Sequence, residues 1–276
     1  MSGLVLRLGL YILAGLGGLV LIPPILLPLG GTLVTAAFTV FFAAIVANLI
    51  PIRIFERGRL EDCGLGWFRR SLQELLTGLG LGVVFASAVV LIPVAMGQAH
   101  FAMEPGSEHP WSSFGFVAIS LLFGAFGEEL LFHGYGFQLL AAKFGQFAAI
   151  LPVALLFGLV HSGNQGANRL GILNTVLWGA VLGYACLRTR ALWLPIGLHY
   201  GWNLAFPLLG ADLSGFTMRI TGYALKWTGS SLWSGGEYGP EGGVLTTVAA
   251  ACVALILSPV LRKVAPPQGD LAEPGR

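Results

Sequence analysis

The chain has 276 residues, of which 55% are hydrophobic and only 10% charged, against about 25% charged in an ordinary soluble domain. So few charges cannot cover the surface of a soluble protein, and a mean hydropathy of +0.80 says the same. A formal net charge of +2, with no basic block interleaved with aromatics, argues against a nucleic-acid partner.

In chain order, the apolar runs predict eight spans, over residues 4–29, 31–50, 72–96, 112–140, 145–162, 170–187, 192–210 and 243–261. Each is near the length of about 20 apolar residues that a bilayer requires. The first is too long for the apolar core of a signal peptide and is followed by no small-residue cleavage site; Pro23, Pro24 and Pro28 are expected to kink or end it. Between the second and third spans, residues 51–71 mix charge with Ile, Leu, Trp and Phe, as an interfacial helix would. Residues 97–111 carry His100, Glu104, Glu108 and His109 but no Lys or Arg. Residues 211–242 are rich in Gly and Ser, with Trp227 and Trp233 suited to a headgroup interface. The fold class expected is all-α: one polytopic transmembrane helix bundle over residues 1–264, followed by a disordered cytoplasmic tail at 265–276.

Basic residues orient the bundle. With a cytoplasmic N-terminus, Arg7, Arg53, Arg57, Arg59, Arg69, Arg70, Lys143, Arg188, Arg190, Arg262, Lys263 and Arg276 fall inside, and Arg169, Arg219 and Lys226 outside. The excess of cytoplasmic Lys and Arg in membrane proteins predicts both termini inside. Cys63, Cys186 and Cys252 are scattered, give neither a CxxC metal pattern nor an even disulfide framework, and read as small apolar fillers. The 40 glycines allow close helix approach and leave the oligomeric state open.

Ionisable groups inside spans cost about 2.5–3.5 kcal/mol each at a helix centre, so they suggest function by default. The fourth span holds Glu128, Glu129 and His133, the fifth ends in His161, and the seventh holds His199 and Asn203. Glu129 and His133 are four apart and share a helix face, as do His199 and Asn203. Glu128 is turned by about 100° from Glu129, so the two carboxylates are expected to serve different neighbours. Any one of these histidines alone reads as a hydrogen-bonded packing residue. Three spans carrying polar groups together are harder to read that way.

Glu128-Glu129-Leu-Leu-Phe-His133, Phe157-Gly-Leu-Val-His161 and His199-Tyr-Gly-Trp-Asn203 resemble the EExxxR, FxxxH and HxxxN motifs of the CAAX protease and bacteriocin-processing (abortive-infection) family. The resemblance is most specific over about residues 115–210. GGEYGPEG, before the last span, is also similar to the family. It implies an intramembrane endopeptidase in which Glu128 and His161 activate a water while His199 and Asn203 stabilise the oxyanion. Glu129 and His133 would support the site. One position departs from the pattern: His133 stands where the motif carries Arg, and a His is charged only when protonated.

The implied partners are a hydrophobic or lipidated peptide or protein substrate and the lipid bilayer, and the implied chemistry needs no cofactor. A zinc-dependent version, with Glu128, His161 and His199 as ligands, is the nearest alternative, since two His and a Glu are a known zinc set; HExxH is absent. Serine and aspartyl intramembrane chemistries lack their motifs. Outside proteolysis, the readings are a non-catalytic immunity or regulatory protein that binds a partner, or a transporter carrying protons on Glu128 and Glu129.

Overall fold

A computed structural model describes residues 2–104 and 111–260. Glu108, His109, Arg262, Lys263, Arg276 and the expected tail at 265–276 lie outside the described residues. Helices α1 (Ser2–Leu21), α2 (Pro23–Pro51) and α3 (Arg69–Ala95) are followed by a strand, β1 (Ala99–Met103). Then come α4 (Trp111–His133), α5 (Tyr135–Phe144), α6 (Gln146–His161), α7 (Arg169–Thr189) and α8 (Trp193–Leu208). Strand β2 (Tyr223–Trp227), the single turn α9 (Ser231–Ser234) and α10 (Val244–Val260) complete it. The protein is a polytopic all-α bundle, as its composition requires. Five helical stretches, Ser2–Leu21, Pro23–Glu56, Arg69–Ala95, Ser113–Phe144 and Arg169–Thr189, are long and apolar enough to cross a membrane. Gln146–His161 and Val244–Ser258 are apolar but shorter.

Each expected span has a helical counterpart. The first is interrupted at Ile22, where Pro23 and Pro24 open α2: proline has no N–H to continue the hydrogen-bond ladder of α1 and is tolerated in a first turn. The chain reverses at Gly31, which takes φ 70° inside α2; Gly15 lies against Ala47 and Gly18 against Ala43, an antiparallel pairing centred there. The fourth expected span is divided at Gly134 into α4 and α5.

Helix directions agree with an alternating chain. Gly124 meets Ala37 and Gly127 meets Phe41, so the second half of α2 runs parallel to α4. Helices α3 and α8, the most extensively packed pair, also run parallel, through a ladder of glycines. A Cβ on Gly78 or Gly82 would strike the backbone at Leu194 or Leu198, and one on Gly197 or Gly201 the backbone at Leu75 or Leu79. Small residues on both faces let the two backbones touch, which is how membrane helices gain packing energy.

Two connections differ from expectation. Residues 51–71 form no interfacial helix. A π-helical turn (Ile52–Glu56) ends at Arg57 with φ 52°, and a 3-10 turn (Leu60–Cys63) ends at Gly64 with φ 89°. Two left-handed residues within eight positions preclude a continuous helix. The connections after α3 and α8, read as loops, pair with each other: β1 and β2 form an antiparallel ribbon from Ala99↔Trp227 to Met103↔Tyr223. At the other end, Leu192 N–H donates to Gly64 O at 2.9 Å and Arg70 to Thr189 O at 3.2 Å. The three cysteines are free thiols, Cys63 and Cys186 buried.

Candidate active site

A cavity of about 320 Å³ opens between α4, α6 and α8 and is closed on one side by residues 213–218. Glu128, Phe157, His161, His199 and Asn203 line it, so four of the residues singled out in the sequence converge with their packing partner. Apolar side chains of α1 and α2, Leu19, Leu33 and Val40 among them, form another wall.

Helix ends aim the groups. Helix α4 must stop just beyond its two carboxylates, and Asn48 satisfies the break. Its Nδ2 donates to Leu130 O at 2.9 Å and to Ala44 O at 2.8 Å, while Oδ1 accepts from Tyr135 N–H at 2.7 Å. Gly134 is required there, because a Cβ would collide with Asn48 Oδ1 and Leu130 O. Helix α6 ends on His161, whose Nδ1 lies 2.8 Å from Phe157 O, one turn back. A carbonyl can only accept, so Nδ1 carries the proton and Nε2 turns to the cavity. The Phe157 ring packs against Phe132, His161 and His199 with centroids 5.0, 4.6 and 6.1 Å away, a packing role that orients both imidazoles.

Glu128 and Glu129 diverge, as their helical phase requires, yet meet the same imidazole on opposite edges. Glu128 Oε2 is 3.8 Å from His161 Nε2 and 3.8 Å from His199 Nε2. Glu129 is fully buried and accepts from His199 Nδ1 at 2.7 Å and from His133 Nδ1 at 2.8 Å. The second of these bonds is the expected i, i+4 pair; the first, across seventy residues, was not readable from spacing. His133 is itself fully buried, T-shaped against Phe137, with Nε2 unpartnered and facing Gly183. The carboxylate oxygen Glu128 Oε2 likewise has no hydrogen-bond partner. A buried acceptor facing a cavity of this size, with His161 and His199 beside it, suits a water or a reacting group.

Zinc is the metal whose usual ligand set these residues resemble. Donors of the right type are present, but among the described residues no three His, Cys, Asp or Glu side chains stand where they could hold a metal ion. With bonds of 2.0–2.1 Å, tetrahedral ligand atoms lie about 3.4 Å apart, closer than the 3.8 Å separations here.

Sequence reading missed a second acidic group. Glu241, in a 3-10 turn (Pro240–Gly242), lines the same cavity. Its Oε1 accepts from Trp202 Nε1 at 2.8 Å, and Oε2 accepts from both the N–H and the hydroxyl of Ser214 at 2.6 Å. The only signal for it was the GGEYGPEG stretch.

No curated protein matches the chain. Residues 110–205 match the family model described as Rce1-like, type II CAAX prenyl endopeptidase Rce1-like, a stretch that contains Glu128, Glu129, His133, His161, His199 and Asn203. The match agrees with the kinship read from the motifs: over residues 110–205 the chain is similar to this family of intramembrane endopeptidases.

Proposed function

We propose that the protein hydrolyses a peptide bond of a hydrophobic or lipidated substrate within the membrane, using a water activated by Glu128 and His161. The observation that carries this reading is the position of Glu128 Oε2, unpartnered and 3.8 Å from the Nε2 atoms of both His161 and His199. One water can hydrogen-bond to two acceptors at that separation, about 2.8 Å from each.

Hydrogen-bond roles assign the chemistry. His161 donates through Nδ1 to a carbonyl, so its neutral ring offers a bare Nε2 as a second acceptor for the water. The water gives one proton to Glu128 as its oxygen attacks the scissile carbonyl. His199 donates through Nδ1 to a carboxylate, so it can also donate from Nε2 only as an imidazolium, whose charge Glu129 balances. In that form His199 Nε2–H and the Asn203 amide hold the tetrahedral oxyanion, where each donor contributes about 3–4 kcal/mol to the transition state. Glu128 then passes its proton to the leaving nitrogen, the C–N bond breaks, and an acid and an amine leave. The proton ends where it is needed, and no cofactor enters the balance.

Glu129 and His133 act in support, and His133 reaches Glu129 at 2.8 Å in spite of replacing the motif's Arg. The apolar wall from α1 and α2 suits an apolar or lipid-bearing substrate. Both termini are cytoplasmic in this reading, because Arg53, Arg57, Arg59, Arg69, Arg70, Arg188 and Arg190 gather at one end of the bundle. The test is cleavage of prenylated and unmodified hydrophobic fluorogenic peptides by the purified protein in lipid, with and without a strong chelator. Cleavage that chelator spares supports the proposal. Loss with chelator and recovery with zinc would replace it with a metal mechanism. A folded protein that cleaves none of the panel would favour the partner-binding reading.

A further inference from the structure

The outer residues of the cavity are joined by a carboxylate that the hydrolytic scheme does not use. Trp202 lies between His199 and Asn203 on α8, and its indole N–H donates to Glu241 Oε1 at 2.8 Å. The other oxygen of Glu241 holds Ser214 by two bonds of 2.6 Å. Ser214 has φ 48°, a left-handed conformation unusual for a residue with a side chain, and it sits inside the Leu213↔Phe216 bridge. Leu213, Ser214, Phe216 and Met218 all line the cavity. Glu241 therefore touches both the helix that carries two of the reacting groups and the segment that covers them.

The turn bearing Glu241 is itself fixed. Asn174 is fully buried on α7; its Nδ2 donates to Glu241 O at 2.7 Å and to Gly243 O at 2.9 Å, and its Oδ1 accepts from Thr247 at 2.6 Å. Thr246 adds a bond to Pro240 O at 2.9 Å. Trp202 is held from its other sides by Trp178, with ring centroids 4.3 Å apart, and by Phe206 at 5.1 Å. A braced turn on one side and a packed indole on the other are joined by the carboxylate, a polar link between them.

We infer that Glu241 is a positioning residue for the peptide hydrolysis proposed above: through Trp202 it sets the place of His199 and Asn203, and through Ser214 it holds the 213–218 segment over the reacting atoms. The inference rests on that reading of His199 and Asn203. A carboxylate is needed because three donors converge on two oxygens; an amide offers one acceptor and would turn its NH2 toward a donor.

The experiment compares Glu241→Ala, Glu241→Gln and Trp202→Phe with wild type and with Glu128→Gln, all as the full chain in lipid nanodiscs. Trp202→Phe removes the N–H while keeping a ring against Trp178. Displacement of the oxyanion donors is expected to lower kcat by about 10–100-fold, the scale of small misplacements of reacting groups, with KM changed little. Adding Trp202→Phe to Glu241→Ala should cost little more than Glu241→Ala alone, since both break one link. A merely structural role would lower the melting temperature and leave kcat per folded molecule intact; that result, or wild-type kcat in Glu241→Ala, overturns the inference.

A second readout needs no turnover. In protein labelled with 5-fluorotryptophan, the Trp202 resonance, assigned by its loss in Trp202→Phe, should shift in Glu241→Ala. An unshifted resonance overturns the link whether or not the enzyme is active. If wild type cleaves nothing, the hydrolytic reading fails by itself, and the catalytic part of this inference falls with it, while the fluorine signal still judges the link.

Discussion

Glu129 and His199 are joined by a 2.7 Å hydrogen bond between a fully buried carboxylate and Nδ1 of the imidazole. Because a carboxylate only accepts, this contact decides which edge of His199 faces Glu128. Glu129→Gln replaces an acceptor-only group with one that can also donate, and removes the negative charge opposite a ring that the proposed mechanism requires to be positive. The expected result is a fall in kcat of about 10²–10³-fold, the range for loss of an oxyanion donor, although Glu129 never touches the reacting atoms. Steady-state kinetics beside melting curves checks it.

His133 closes the other side of Glu129. Removing it in His133→Ala leaves a buried carboxylate one donor short, at a cost of about 1–3 kcal/mol, read as a lowered melting temperature in lipid. Restoring the motif's residue with His133→Arg is also expected to destabilise. The imidazole already fills a fully buried space bounded by Gly183 and Phe137, and a longer side chain there costs about 1–3 kcal/mol through overpacking.

The α3–α8 glycine ladder places His199 against α4. Gly197→Ala puts a methyl into the backbone at Leu75, and Gly78→Ala one into the backbone at Leu194. Neither obstacle is a flexible side-chain end, so the helices must part. Each substitution is expected to cost at least about 1–3 kcal/mol and to lower activity, whereas Gly80→Ala, with open space around it, is the matched control and should do neither.

Outside the spans, burial pushes the Cys63 thiol up to about 12, with Asp62 adding to the rise. The folded chain keeps this proton where an unfolded thiol loses it near pH 9, so the group's contribution to stability is complete below that value and declines as the pH climbs above it. At pH 8 the folded protein should therefore resist alkylation at Cys63, and denaturant should expose it. Mass spectrometry after iodoacetamide treatment distinguishes the two states.

Much of this was legible in the sequence for identifiable reasons. Long apolar runs give away membrane helices, and Glu128, Glu129, His133, His161, His199 and Asn203 stand out because polar groups are rare there. Helical phase turned Glu128 and Glu129 toward different neighbours, and so they stand. What escaped depends on distant partners. Nothing local couples Glu129 to His199 or Glu241 to Trp202, and β1 and β2 are five-residue segments whose pairing joins two connections far apart in the chain. Residues 51–71 have the composition of an interfacial helix, but the left-handed Arg57 and Gly64 break it into two turns.

The most direct measurement is the cleavage rate of Glu128→Gln against wild type, reconstituted side by side in lipid with one peptide that wild type cuts. The substitution is nearly isosteric but cannot take up the proton of an attacking water. A general base contributes about 10²–10⁴-fold, so a loss of at least that size with an unchanged melting temperature is expected. Cleavage at the wild-type rate by a folded Glu128→Gln protein would contradict the assignment of Glu128 as the group that activates water.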